Sequence, residues 1–73
     1  ERPFEYMLNA LRLVEGFTQH HFEARTGLSA DVLAGTLADA SRRGLLVRRP
    51  DGWRPTELGF RFLNDLQRLF LPD

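Results

Sequence analysis

Twice in quick succession the chain reads glycine, apolar residue, hydroxyl residue: Gly16-Phe17-Thr18, then Gly27-Leu28-Ser29. Each triplet stops one helix and caps the next. Glycine ends a helix at low steric cost, and a Thr or Ser side chain accepts from the first free N–H groups of the helix that follows. Phe17 with Phe22, and Leu28 with Leu33, stand at the spacing of hydrophobic staples. Asp31 falls near the positive end of its helix. This punctuation rules out long helices. It predicts a helix over 3–14 opened by Pro3, a second from about 19 to 26, and a third from Ser29 to about Arg43, ended by Gly44.

Past Gly44 the signal changes. Leu45 to Arg49, then Pro50-Asp51-Gly52, then Trp53 to Pro55 read as a hairpin. Pro55 cannot donate to a ladder, so the second strand is expected to be short or at an edge. Thr56 caps a last helix whose Gly59, Phe62, Leu63, Leu66, Leu69 and Phe70 share one face. The pattern also allows a minor strand at Glu15 to Phe17. The expected fold is mainly α with a small β-hairpin, a winged-helix (helix-turn-helix plus wing) domain, with residues 1–73 as one domain.

At 73 residues the chain can bury only about 60% of its unfolded surface, so each apolar position counts. Helix one has more apolar residues than one core needs. Phe4, Met7, Leu8 and Leu11 form one stripe, and Tyr6, Ala10 and Leu13 lie on another side, which predicts protein on both sides. With no cysteine, the chain has no disulfide, thiolate metal site or cysteine nucleophile. It contains no apolar run long enough to span a bilayer, and Glu-Arg-Pro-Phe-Glu lacks the form of a signal peptide. A cytoplasmic setting is the default expectation.

Charge is balanced overall but not along the chain. Residues 1–41 hold three Arg against six acids, and 42–73 hold seven Arg against four. Every basic residue is Arg, which fits genomic base composition better than selection for phosphate. Arg42, Arg43, Arg48, Arg49 and Arg54 are the candidates for nucleic-acid contact through a wing. The outward face of helix three, however, offers Asp31, Ala34, Gly35, Ala38 and Asp39, which lack the donors that read base edges and oppose phosphate. Nucleic acid is therefore an unfavoured partner. A stand-alone winged-helix module binding it weakly through these arginines is the alternative function.

His20 and His21 are adjacent in helix two and point about 100° apart, so they do not form the i, i+4 pair of a metal site. One of them as a haem ligand is a minor alternative to a surface role. Ser29 and Ser41 lie at helix ends, and no phosphate loop, nucleophile elbow or carboxylate pair stands out. No catalytic, cofactor-binding or metal-binding residue is assigned, and this chain alone is not expected to be an enzyme.

Four stretches, FEYMLNALRLVEGF (4–17), FEARTGL (22–28), RGLL (43–46) and WRPTELGFRFLNDLQRLFL (53–71), carry a likeness along nearly the whole chain. They resemble the C-terminal domain of the radical-SAM oxygen-independent coproporphyrinogen III oxidase-like family, the HemN C-terminal domain, and within it the HemW-type haem-chaperone branch. The most specific parts are Asn9, Arg12 and Leu13 with Gly16 and Phe17, the Arg25-Thr26-Gly27 turn, and Phe62-Leu63-Asn64 before Leu69-Phe70-Leu71.

The resemblance implies a small accessory domain that helps cover an N-terminal radical-SAM barrel of the same polypeptide. That barrel would hold a [4Fe-4S] cluster on a Cys-x3-Cys-x2-Cys motif, absent here, and bind S-adenosylmethionine, with haem or a porphyrinogen met through the parent. Its cluster and catalytic residues have no counterpart in this chain. Expected docking residues are Tyr6, Asn9, Ala10, Arg12 and Leu13 on helix one, Asn64 on the last helix, and the apolar tail Leu69, Phe70 and Leu71.

Overall fold

The computed structural model describes residues 2–72; the expected domain limits at Glu1 and Asp73 lie outside the described residues. Helix α1 spans Pro3–Ala10, strand β1 Phe17–Thr18, and helix α2 Gln19–Thr26. A 3-10 turn over Ala30–Leu33 leads into α3, Ala34–Arg42. Strands β2, Leu46–Arg49, and β3, Gly52–Pro55, form the hairpin, followed by helices α4, Glu57–Arg61, and α5, Leu63–Arg68. The sheet is antiparallel in the order β1-β3-β2.

The capping logic works as read. Thr18 Oγ1 accepts from the His21 N–H at 3.0 Å, and α2 ends at Gly27 with φ 73°. Ser29 Oγ accepts from the Asp31 N–H at 3.2 Å, although the first turn it caps is 3-10 rather than α. Thr56 Oγ1 accepts from the Gly59 N–H at 3.0 Å and donates to the Gly44 carbonyl at 2.6 Å, tying the start of α4 to the end of the α3 turn.

Two expectations need correction. Helix α1 stops at Ala10, not at residue 14. The Arg12 N–H turns back to Asn9 O and the Leu13 N–H to Ala10 O, bonds three residues long that tighten and end the helix. The last helix is two helices, broken at Phe62 (φ −114°, ψ 45°), which is left 46% exposed instead of joining the core. The two halves answer to different neighbours: Gly59 of α4 packs directly on the Leu45 backbone, whereas Gln67 Nε2 of α5 donates to Leu8 O of α1 at 3.0 Å. Strand β3 is short, as Pro55 requires, although it is the central one of the three. Pro55 is tolerated there because β1 reaches only Gly52 and Trp53, so Pro55 is paired with Leu46 alone and has no strand on its other side.

The core gathers one or two side chains from nearly every element. Met7, Leu11, Phe22 and Leu66 are its fully buried large members. The Tyr6 ring meets Phe22 edge-on at 5.3 Å between centroids and Phe17 at 6.0 Å. Tyr6 and Ala10 are thus consumed by the domain's own core at 4% and 5% exposure, as is Phe70 at 8%. The second apolar side of helix one, expected to await a partner, is mostly covered from within by the Phe17 and Phe22 that the caps bring into place.

Candidate functional site

An open groove of about 760 Å³ runs between α1, the 13–16 turn, the start of α2 and the hairpin. Its walls follow from the early stop of α1. Because the chain turns after Ala10, Leu13 and Val14 swing out to the groove lip, 56% and 69% exposed. Gly16, at φ 75°, lies flat on β3: a Cβ at this position would fall 1.9 Å from Trp53 O. That close approach covers the stem of Arg54.

Polar groups line the rest. The Tyr6 hydroxyl and His21 Nδ1 are 2.7 Å apart, with the two rings tilted at 5.5 Å. Arg25, Arg49 and Arg54 also line the groove, with Glu15 and Asp51 as its carboxylates. Arg54 Nε is buried and has no hydrogen-bond partner among the described residues. Most buried donors are bonded, so this is the groove's most unusual polar atom.

The arginines expected to act together are dispersed. Arg42 and Arg43 both bind Asp39, at 2.6 and 3.0 Å, at the end of α3. The Arg48 guanidinium lies 4.9 Å from the Trp53 ring centre, its cross-strand neighbour, and its Nε donates to Arg49 O at 3.2 Å. Alternation along β2 and the Val47–Arg54 pairing put Arg49 and Arg54 on the opposite sheet face. Helix α3 presents Ala34, Gly35 and Ala38 outward, all exposed.

Among the described residues no three His, Cys, Asp or Glu side chains are grouped to hold a metal. Glu23 is committed to accepting from the Ala30 N–H at 2.7 Å, and His21 to Tyr6. Asn9 is exposed on α1, with its amide 3.4 Å from Glu5 O one turn back. Arg12, Asn64 and Leu71 are exposed as well, and Leu69 is half-buried against the core. Val14 is a site residue that sequence reasoning missed, whereas Arg54 is one of the arginines expected at a nucleic-acid-contacting wing. The turn that exposes Val14 has no strong sequence signal, and nothing in the sequence pairs Arg54 with the distant Gly16.

Fold and groove define a small helical domain with a three-stranded antiparallel sheet, its exposed apolar and basic side chains meeting at the α1–β1 turn. Residues 1–62 match the family model described as the HemN C-terminal domain, and the chain belongs to that family. It is 41% identical over 73 residues to the heme chaperone HemW of Escherichia coli strain K12, and 38% identical over 73 residues to that of Haemophilus influenzae. It is 34% identical over 71 residues to the heme chaperone HemW of Buchnera aphidicola subsp. Schizaphis graminum. These alignments cover all or 97% of this chain but 19% of each relative, so the chain spans about a fifth of their length. No solved structure matches the chain. No helix among the described residues is long and apolar enough to cross a membrane.

Proposed function

We propose that this chain is the non-catalytic C-terminal accessory domain of a radical-SAM coproporphyrinogen III oxidase-like protein or haem chaperone, packing on the barrel that precedes it and helping to cover the barrel's opening. The observation that carries this reading is the coverage: relatives called heme chaperones match this chain from end to end, yet are about five times as long. The cluster and S-adenosylmethionine belong to the barrel in this reading, since the chain has no cysteine to offer a cluster. Haem or a porphyrinogen is met by the parent as a whole.

The order α1, β1, α2, α3, β2, β3, with β1 beside β3, supports a winged-helix description in which the hairpin is the wing. With Tyr6, Ala10 and Phe70 inside the domain, the contact surface comprises the exposed Asn9, Arg12 and Leu13 joined by Val14, with Leu69, Leu71 and Asn64 at the other end. Burying Leu13 and Val14 would contribute about 25 cal/mol per Å² of apolar area removed from water.

The test uses the longer polypeptide that carries this domain. A Leu13→Asp/Val14→Asp double variant replaces no core residue, so the domain is expected to stay folded. Limited proteolysis should release it faster than from the parent protein. Equal release rates would reject docking through this turn.

A further inference from the structure

We propose that α4 and α5 are two halves of one helix joined by a hinge at Phe62, and that the hinge has a second, straight arrangement in which α5 leaves α1. Sharp breaks in helices usually have a local cause, most often proline or glycine. The stretch Arg61-Phe62-Leu63-Asn64-Asp65 contains neither, and no side chain caps the start of α5. The local sequence thus favours a helix that runs on through Phe62. Breaking it leaves three donors unused. Among the described residues the N–H groups of Leu63, Asn64 and Asp65 meet no backbone carbonyl, whereas a continuous helix would give them those of Gly59, Phe60 and Arg61.

What holds the bent arrangement is tertiary. Leu66 is fully buried, Phe70 nearly so, and Gln67 Nε2 donates to Leu8 O at 3.0 Å. Leu66 and Gln67 ride on one six-residue helix, with Phe70 just past its end, and a helix so short does not persist alone, so the three contacts form and break together. Straightening trades them for the three backbone bonds of a single helix over 57–68, with Gly59, Phe62, Leu66 and Phe70 on one face. Two arrangements of the same residues, each with its own bonds, make a hinge. Burial favours the bent form, so the straight one is the minor state. Opening uncovers the Leu8 carbonyl and carries Asn64, Leu69 and Leu71 away from Asn9 and Leu13. The hinge stands on these contacts and not on the docking reading.

Because the chain has no cysteine, a single one can be placed in this domain of the longer polypeptide, with peptide mapping to locate its label. Leu66→Cys on α5 and Leu37→Cys on α3 replace the same residue type at 0% and 3% exposure, so each reacts with a thiol reagent only when its surroundings open. Residue 66 is expected to react at least about tenfold faster than residue 37, because local opening outpaces global unfolding. Adding Asp65→Pro should then slow residue 66 several-fold. Proline takes no backbone bond from the bent form, where the Asp65 N–H has no carbonyl, but its ring blocks the straight helix at Arg61 O. Equal rates at 66 and 37 would overturn the hinge. So would a fast reaction that Asp65→Pro leaves unchanged or quickens, the mark of plain fraying at the chain end. If Asp65→Pro unfolds the domain, seen as fast reaction at 37, Phe62→Gly takes its place. Glycine weakens the straight form, where residue 62 is helical, more than the bent one, where it is not, and the same slowing is required. The proteolysis of Leu13→Asp/Val14→Asp reads docking separately, so either reading can fail without the other.

Discussion

Gly16 and Gly27 share almost the same backbone, φ 75° and 73°, but not the same surroundings, and replacing each with alanine separates conformational from steric cost. At Gly27 a Cβ meets nothing within 4 Å. Its alanine variant loses about 1–2 kcal/mol for the left-handed conformation and recovers about 0.4–1 kcal/mol through a stiffer unfolded chain. The net loss is about 1 kcal/mol, which lowers Tm by about 4–8 °C in a domain of this size.

At Gly16 the same backbone cost applies, and in addition the Cβ must retreat from 1.9 Å to at least 3.0 Å from Trp53 O. That movement parts β1 from β3, which pair only through Phe17–Trp53 and Thr18–Gly52. Losing these bonds costs about 0.5–1.5 kcal/mol each, and freeing the buried Phe17 about 1.5–3 kcal/mol. The total of roughly 3.5–7 kcal/mol is a large share of the 4–11 kcal/mol or so expected for a chain this long. Urea unfolding of the 73-residue chain, followed by far-ultraviolet circular dichroism and by Trp53 emission, reads both variants. Equal losses at the two glycines would refute the claim that backbone contact with β3 is what requires Gly16.

Two further outcomes are expected. Gln67→Leu leaves the Leu8 carbonyl without its partner beneath a buried side chain and should cost about 1–3 kcal/mol in the same urea assay; no change would mean that water replaces the bond. Arg48→Ala/Arg49→Ala/Arg54→Ala should show no loss of salt-sensitive retention on duplex DNA relative to the parent chain, because helix α3 brings no donors to bases and Arg48 is held by Trp53.

Local rules carried well wherever the deciding partners are near in sequence. The limits of α2, its cap at Thr18 and its stop at Gly27 follow from ten consecutive residues. The hairpin and its Pro50-Asp51 turn are equally local. What was not legible depends on distant neighbours. The break at Phe62 arises because α4 answers to Leu45 and α5 to Leu8, positions far from the helix itself. The groove was invisible for the same reason: helical periodicity puts Tyr6, Ala10 and Leu13 on one side, but the turn after Ala10 sends Leu13 outward while Tyr6, against Phe17 and Phe22, and Ala10 are buried in the core.

The bond from Gln67 to Leu8 joins residues 59 apart in sequence. Closing so long a segment costs on the order of 3–4 kcal/mol of chain entropy, so this contact is made late in folding. During synthesis, Tyr6, Met7 and Leu11 leave the ribosome well before Leu66 and Phe70 exist to cover them. Any barrel already folded ahead of Pro3 would therefore emerge with an unfinished, sticky neighbour, and α5 is the piece whose arrival ends that exposure.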